Sequence, residues 1–535
     1  MSSTPETATE ASTLTEPTTA EAVLPTPPEI APASERPPGS ESKDWRHREV
    51  GMAVRNALTL GLSLTATWGI ALVVRLYVPR LLGPERFGML NFADAFTATA
   101  FVALNLGVDT YVRKEISVRP EHANDFIGGI IALRLALTIL VFAGMEVVLR
   151  VTGRGDEVRW LAYIYGVGQF FVNGSSTSSG LLHARGQVKG MSVVTVGTKL
   201  LWGAGIAAAI FLKLGLWAFA MAYVVSEGLK SALLFAFARK TLNLRMHIDP
   251  KATWGVIVAS APFLVSTFAT TVYNRLDVTI LSVKSTDQEV GWYGASTSLA
   301  GLTLLLTPLI SWVLMPLFAR AAEVSEEELC SLVRRSLELI LVLAIPLALA
   351  MALGAPLWIS VAFGAKFAPA TLALSFQSGV FVLMYVSIIT WCALTMLKKT
   401  WSLTMVFVGG LVVNPTLNLL LINYGLKHWG PGGGGAACAL ACFGTEVGVV
   451  APMLIMLGRR IVDARLLRVT ATCLGVSAII VGVDRLLGRH LGYERLIPEG
   501  LLYVVLVFVF RAITIDDLAG WVRIAKHRVE QRKSA

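Results

Sequence analysis

The sequence has few charged residues for its length. Only 15% of its 535 residues are charged, whereas 54% are hydrophobic. A soluble protein of this length would need far more charge on its surface. Runs of about 20 apolar residues recur along most of the chain, and each is long enough to cross a hydrocarbon core of roughly 30 Å. We therefore predict an all-α polytopic membrane protein with about fourteen transmembrane helices.

Long aqueous loops and nucleotide-binding motifs are also lacking. No segment between two predicted spans is long enough to hold a catalytic domain, which argues against a membrane glycosyltransferase, polymerase or ligase. The sequence has no GxxxxGK[ST] loop, which argues against an ATP-driven pump. The five cysteines form no CxxC pair. We expect no catalytic residues, no metal site and no cofactor.

The chain is predicted to divide into five segments. Residues 1–45 are rich in Pro, Ser, Thr and Glu and should form a disordered tail. Residues 46–240 should hold spans 1 to 6, and residues 241–460 spans 7 to 12. Two additional spans are expected in residues 461–513, before a basic tail at 514–535.

The net charge of +10 is explained by the loops between the spans. Lys and Arg concentrate in the loops on the side of the N-terminus, as in Arg239–Lys240 and Arg459–Arg460. Cytoplasmic loops carry this excess, so both termini should face the cytoplasm. The basic C-terminal tail can then bind anionic membrane lipids. We expect no nucleic-acid partner.

Two pairs of short stretches indicate an internal repeat. Phe87–Gly88 corresponds to Val290–Gly291 at the start of a span, and Ser226–Glu227 corresponds to Thr445–Glu446 near the end of each half. Parallel repeats of this kind are related by an axis along the membrane normal, with the binding site at their interface. We predict two six-helix lobes in a pseudo-twofold arrangement, plus two extra C-terminal helices.

Several motifs in a fixed order resemble one family. They are "RLYVPRLLGPERFGMLNFADA", "NRLDVTILSVKSTDQEVGWYGAST", "ISVAFGAKFAPATLALSF" and "LVVNPTLNLLLINYG". Over residues 54–460 the chain resembles polysaccharide exporters of the Wzx type, within the superfamily of multidrug, oligosaccharidyl-lipid and polysaccharide exporters. The "PGGGG" run at 431–435 is richer in glycine than the family pattern.

The resemblance implies a V-shaped pair of lobes around a central cavity. It implies a flippase that moves an undecaprenyl-pyrophosphate-linked oligosaccharide from the inner to the outer leaflet of the bacterial cytoplasmic membrane by alternating access. A polysaccharide polymerase and a chain-length regulator are the candidate protein partners. Two alternatives are a flippase for a peptidoglycan lipid precursor and an ion-coupled multidrug antiporter of the same superfamily.

Cations inside the predicted spans are the candidate phosphate ligands. Removing the hydration of a phosphate in hydrocarbon is prohibitive, and a solvent-filled cavity lined by cations can replace that water. Arg suits this role because its planar fork pairs two phosphate oxygens and stays charged. The candidates are Arg75, Arg134, Lys199 and Arg275. The alternative is that each cation pairs with a carboxylate or extends to the membrane interface.

Carboxylates within the spans are candidates for coupling or gating. Asp94 lies at a depth close to that of Arg75, so we expect an interhelical pair. Asp277 follows Arg275 by two positions and cannot share its helix face, so its partner should lie on another helix. Glu227 and Glu446 can bind and release a proton or sodium ion near mid-membrane. Alternatively, they are protonated and hydrogen-bonded within each lobe.

Two asparagines flank a proline in the eleventh predicted span. Pro415 removes a backbone hydrogen bond and should kink the helix. Asn414 and Asn418 are therefore predicted either to bind sugar hydroxyls or to cap the freed backbone groups.

Overall fold

The structure, a computed structural model, describes residues 44–109, 111–112, 116, 123–244, 247–304, 307–458 and 460–510. Most of the predicted N-terminal tail and the whole basic C-terminal tail lie outside these ranges. The chain divides into two units at Arg55, and the packing and the cavity described below belong to the second unit.

The described residues form sixteen α-helices, numbered here in chain order. They are α1 (Asp44–Ala100), α2 (Ala123–Val151), α3 (Asp156–Ala184), α4 (Val188–Phe211), α5 (Leu216–Leu242), α6 (Pro250–Tyr273), α7 (Leu276–Lys284), α8 (Asp287–Thr303), α9 (Thr307–Val324), α10 (Glu326–Leu353), α11 (Ala355–Phe363), α12 (Thr371–Met396), α13 (Thr400–His428), α14 (Gly433–Leu457), α15 (Ala464–Leu491) and α16 (Leu496–Val509). Short 3₁₀ helices cover Phe101–Asn105, Ala365–Ala370 and Gly492–Arg495.

The predicted class is confirmed, because the chain is a multi-pass, all-helical membrane protein. Among the described residues, nine helices are long and apolar enough to cross a membrane, or ten if one bent pair is a single span. The count of fourteen stays a prediction. Helix α3 is long but is not among the nine, and it carries buried polar side chains such as Gln169 and Asn173.

A glycine separates the first two predicted spans. Gly83 has φ of 77°, a left-handed conformation that favours glycine because it lacks a Cβ. Pro84 follows directly, and proline suits the first position of a helix since its missing N–H has no helical partner there. The helix is therefore kinked at this point, and the second part of α1 begins at the motif that contains Phe87 and Gly88.

The second part of α1 packs directly against the start of α8 through two glycines. A Cβ at Gly88 would lie 1.8 Å from the carbonyl oxygen of Asp287, and a Cβ at Gly291 would lie 1.8 Å from that of Pro84. Each glycine thus contacts the residue four positions before the other. Such reciprocity is the property of a twofold contact, and it joins the two stretches that the sequence repeat pairs.

The seventh predicted span is interrupted at the motif that contains Arg275 and Asp277. Helix α6 ends at Tyr273, and α7 begins at Leu276. Arg275 precedes α7 with φ of −131°, outside the helical range. This segment is therefore two helices rather than one straight helix. The break places Arg275 and Asp277 at the beginning of a new helix.

The "PGGGG" run begins α14 in a crowded place. Gly432 has φ of 83°, and a Cβ there would lie 2.0 Å from the carbonyl oxygen of Pro369. The buried carboxylate of Glu289 accepts hydrogen bonds from the backbone N–H groups of Gly432, Gly434 and Gly435 at 2.7, 3.2 and 3.3 Å. It thereby satisfies donors that a helix N-terminus leaves without partners. The extra glycines are explained by this close packing.

We expect Gly88→Ala and Gly291→Ala to destabilise the protein by at least ~1–3 kcal/mol, because each new Cβ overlaps backbone that cannot move aside. Thermal unfolding in detergent measures this. The matched control is Gly197→Ala on α4, where a Cβ meets nothing within 4 Å and the better helix propensity of Ala should leave stability unchanged or slightly higher. Equal unfolding temperatures for all three variants would contradict the direct contact between α1 and α8.

Candidate functional site

A cavity of about 690 Å³ lies between residues from both halves of the sequence. One side is formed by α1, α3, α4 and α5, and the other by the α6–α7 break, α8, α12, α13 and α14. Seven of the predicted site residues line it. They are Arg75, Asp94, Lys199, Arg275, Asp277, Asn414 and Glu446.

Two cations in this cavity have no ion-pair partner among the residues that the structure describes. Arg75 is exposed to the cavity, and Lys199 is half-buried. No carboxylate of the described ranges lies within 4.0 Å of either group. The Lys199 ammonium instead lies over the indole ring of Trp202, 3.7 Å from the ring centroid. Such a cation–π contact is worth only ~0.5–1 kcal/mol at an exposed site. Both cations are therefore available to an anionic ligand.

Arg275 forms an ion pair across the two halves of the sequence. Its Nη1 lies 3.1 Å from Oδ2 of Asp94, so the partner of Asp94 is Arg275 rather than the predicted Arg75. The side chains of Arg275 and Asp94 are 42% and 37% exposed. Solvent reaches this depth of the cavity, and a pair of this exposure contributes only ~0–1 kcal/mol.

Asp277 is buried beside Arg275 and faces other partners. Its Oδ1 accepts a hydrogen bond from the Val278 N–H at 2.8 Å, and its Oδ2 accepts one from the Tyr293 hydroxyl. The Cys442 thiol lies 3.5 Å from the same Oδ2. Asp277 thus connects the start of α7 to α8 and α14, where it benefits from the positive end of the α7 dipole.

The two glutamates that the repeat pairs have different surroundings. Glu446 is buried in the cavity wall, and Tyr273 donates a 3.4 Å hydrogen bond to it. Glu227 lies outside the lining and forms a 2.9 Å ion pair with Lys230. Only Glu446 therefore faces the cavity, and Glu227 balances a lysine one turn away on α5.

Asn414 lines the cavity, whereas Asn418 does not. Both side chains are fully buried. The Asn418 amide donates 2.9 Å hydrogen bonds to the backbone and side-chain oxygens of Asn414. Asn418 therefore supports its neighbour Asn414 within α13.

Arg134 lies outside the cavity lining and is 4% exposed. Its guanidinium donates to the carbonyl oxygens of Leu104 and Asn173 at 2.7 and 3.0 Å and to the Thr177 hydroxyl at 2.9 Å. Asp109 lies 3.9 Å away. These groups hold together the 3₁₀ segment Phe101–Asn105, α2 and α3. We therefore leave Arg134 out of the proposed ligand set.

Three half-buried aromatic side chains line the cavity without having been predicted from the sequence. Tyr165 and Tyr223 lie with their ring centroids 5.2 Å apart, and Trp202 holds Lys199. The spacing between Lys199 and Trp202 is a usable signal, because residues three apart share a helix face. The tyrosines belong to different helices, α3 and α5, and only the fold brings them together.

We expect Arg134→Leu to destabilise the protein by roughly 3–5 kcal/mol, since it leaves buried acceptors and Asp109 without their cation. Lys199→Met is the matched control and should change stability by less than ~1 kcal/mol, the size of the cation–π contact that it removes. Unfolding temperatures in detergent measure both. If Arg134→Leu unfolds at the wild-type temperature yet abolishes transport, Arg134 acts on the ligand and the structural role is wrong.

Comparison with known proteins places these features in a known family. Residues 53–322, half of the chain, match the family described as "Polysaccharide biosynthesis protein". A relative from Haloferax volcanii, described as the probable low-salt glycan biosynthesis flippase Agl15, is 21% identical over 350 residues. The match covers 65% of this chain and 72% of the relative.

Solved structures share the fold at low sequence identity. The lipid II flippase MurJ, in an inward closed conformation, superposes with a TM-score of 0.66 at 13% identity, over 87% of this chain and all of that one. An inward-facing multidrug resistance transporter of the MATE family gives a TM-score of 0.59 at 12% identity, over 76% of this chain and 99% of the other. The predicted transporter architecture and the family resemblance are confirmed. The chain belongs to the polysaccharide biosynthesis protein family.

Proposed function

We propose that this protein is a flippase that moves a polyprenyl-pyrophosphate-linked oligosaccharide from the inner to the outer leaflet of the bacterial cytoplasmic membrane. Both termini face the cytoplasm in this proposal, in agreement with the distribution of Lys and Arg among the loops. The family match and the flippase relative support a lipid-linked glycan as the substrate class. Transport proceeds by alternating access of the cavity to the two sides.

The observation that carries the proposal is a pair of cations, Arg75 and Lys199, that have no carboxylate partner in the described part of the chain and lie in a cavity open to solvent. A pyrophosphate cannot cross hydrocarbon without its water shell, because moving even a singly charged, carboxylate-sized ion into a medium of low dielectric constant ideally costs on the order of 20 kcal/mol. Water and cations in the cavity stabilise the head group in place of bulk solvent, while the polyprenyl tail stays in the lipid.

Lys199 can exchange Trp202 for a phosphate at little cost. A charge-assisted hydrogen bond contributes ~1.5–3 kcal/mol, whereas the contact with the indole ring contributes ~0.5–1 kcal/mol. The phosphate therefore competes successfully for the ammonium. In the empty cavity Trp202 holds Lys199 in place. When Lys199 moves to the phosphate, the indole ring of Trp202 becomes exposed.

Arg275 becomes available by a similar exchange. In the empty cavity it is paired with Asp94, but that pair is partly exposed and contributes little. A phosphate can displace the single carboxylate oxygen and form two parallel hydrogen bonds with the guanidinium. Displacement also breaks a bond between α1 and the α6–α7 break, so that phosphate binding is linked to the contact between the two halves of the protein.

Asp277 and Glu446 are the proposed coupling groups, with a proton or a sodium ion as the coupling ion. Both are buried in the cavity wall, and neither forms an ion pair with any residue that the structure describes. Their hydrogen-bond donors are neutral groups, the hydroxyls of Tyr293 and Tyr273 and, for Asp277, also the Val278 N–H. No fixed cation therefore compensates a change in the charge of either carboxylate. Binding or release of the proton or sodium ion can then act as a switch.

Two other functions are compatible with the fold. The structural neighbours include a lipid II flippase and a multidrug transporter, so a peptidoglycan precursor and a cationic drug are the competing substrates. The unpaired cations favour an anionic head group over a cationic drug. A polysaccharide polymerase and a chain-length regulator remain predicted partners.

Reconstitution in liposomes tests the proposal. We expect the wild-type protein to flip a fluorescent polyprenyl-pyrophosphate-linked oligosaccharide, measured by the loss of fluorescence when a quencher is added outside. The double variant Arg75→Ala/Lys199→Met loses two charge-assisted hydrogen bonds and should be at least ~10-fold slower.

The matched control removes the same two charges outside the cavity lining, by Arg86→Ala/Lys366→Met at exposed positions. It should flip at the wild-type rate. Wild-type transport of lipid II or of a cationic dye, without transport of the oligosaccharide lipid, would establish the corresponding alternative. An Arg75→Ala/Lys199→Met variant that flips at the wild-type rate would contradict the role of the cations.

A further inference from the structure

The accessible aromatic side chains of the cavity all lie on one side. Tyr165 on α3, Trp202 on α4 and Tyr223 on α5 are half-buried and line the cavity. On the facing wall, Tyr273 and Tyr293 are buried, and their hydroxyls are bonded to carboxylates. Tyr165, Trp202 and Tyr223 are defined here as the aromatic wall.

The positions of these rings are set by the helices that carry them. A Cβ at Gly168 of α3 would lie 2.4 Å from the Tyr223 ring, so the absence of a side chain there makes room for that ring. Helices α4 and α5 also approach closely, because a Cβ at Gly205 would lie 2.8 Å from the Ala222 Cβ. The helices that carry Trp202 and Tyr223 are therefore held close together.

A polar group on the facing wall lacks a partner. Gln377 on α12 lines the cavity and is 7% exposed. Its side-chain carbonyl oxygen is buried and accepts no hydrogen bond from the part of the chain that the structure describes. A buried acceptor without a donor is costly, and here a ligand in the cavity can supply the donor.

We propose that the aromatic wall and Gln377 form a binding subsite for the sugar that is linked directly to the pyrophosphate. A pyranose ring has an apolar face of C–H groups and a rim of hydroxyls. The apolar face suits Trp202 and Tyr223, and a hydroxyl on the rim can donate to Gln377. Because Lys199 lies on Trp202, the phosphate that binds this lysine brings the first sugar against the wall.

This inference rests on the proposed function and adds recognition of the sugar to recognition of the phosphate. Arg75, Lys199 and Arg275 bind any polyprenyl pyrophosphate, whereas the aromatic wall and Gln377 distinguish a lipid that carries a sugar from one that does not. In most binding pockets, apolar and aromatic side chains provide the contact area, and a few polar groups fix the orientation of the ligand.

The test compares the binding of three purified lipids to the full-length protein in detergent. They are a polyprenyl pyrophosphate, the same lipid bearing one hexose, and the same lipid bearing one N-acetylhexosamine. We expect the wild-type protein to bind at least one sugar-bearing lipid about tenfold more tightly than the bare lipid. Trp202→Leu, Tyr223→Leu and Gln377→Met should all remove this preference, and Tyr223→Leu and Gln377→Met should leave the affinity for the bare lipid unchanged.

Two variants control for loss of folding and of aromatic area. Tyr223→Phe keeps the ring and should keep the preference for sugar. This variant can be measured even if Tyr223→Leu does not fold. Trp217→Leu removes an exposed aromatic ring from α5 outside the cavity lining and should bind all three lipids like the wild type.

The failures of the two proposals are distinguishable. If the wild-type protein binds all three lipids equally, or if the aromatic variants lower affinity for the bare lipid as much as for the sugar lipids, the subsite does not exist while the flippase proposal stands. Unchanged preference in Trp202→Leu and Tyr223→Leu also overturns the subsite. If the wild-type protein binds none of the lipids, both proposals are wrong.

Discussion

The cavity depends on cations that face solvent inside an otherwise apolar protein. Arg75 and Lys199 are not neutralised by any carboxylate in the described ranges, and Arg275 is held only by a partly exposed pair with Asp94. Charges at this depth are expensive unless water or an ion compensates them. The surrounding helices therefore have to keep the cavity open to solvent. An anionic ligand is stabilised most in the part of the cavity that these cations line.

The remaining polar groups of the membrane part divide between binding and support. Arg134, Asn418 and Glu227 are each engaged with neighbouring groups of the protein and have a supporting role. Asp277 and Glu446 are held by tyrosine hydroxyls in the cavity wall, where we propose that their charge changes during transport. The reciprocal contact of α1 and α8 at their glycines brings the two halves together beside this cavity.

Much of the fold could be predicted from the sequence, because long apolar runs and the repeat fix the helical class and its symmetry. Hydropathy gives the depth of a residue such as Arg134, but it does not give the direction in which the side chain points from its helix. That direction depends on breaks such as those at Gly83 and Arg275 and on packing between distant helices. For the same reason Asp94 could be expected to find an arginine, but not Arg275, and Tyr165 and Tyr223 could not be recognised as neighbours.

An experimental structure of the protein in a lipid nanodisc, with a bound polyprenyl pyrophosphate bearing one sugar, tests the central claim most directly. We expect phosphate density within hydrogen-bond distance of Arg75 and Lys199, with Arg275 released from Asp94 and the polyprenyl tail outside the cavity. The account is contradicted if the phosphates lie elsewhere while the Arg275–Asp94 pair stays intact, or if these cations point at acyl chains around a dry interior.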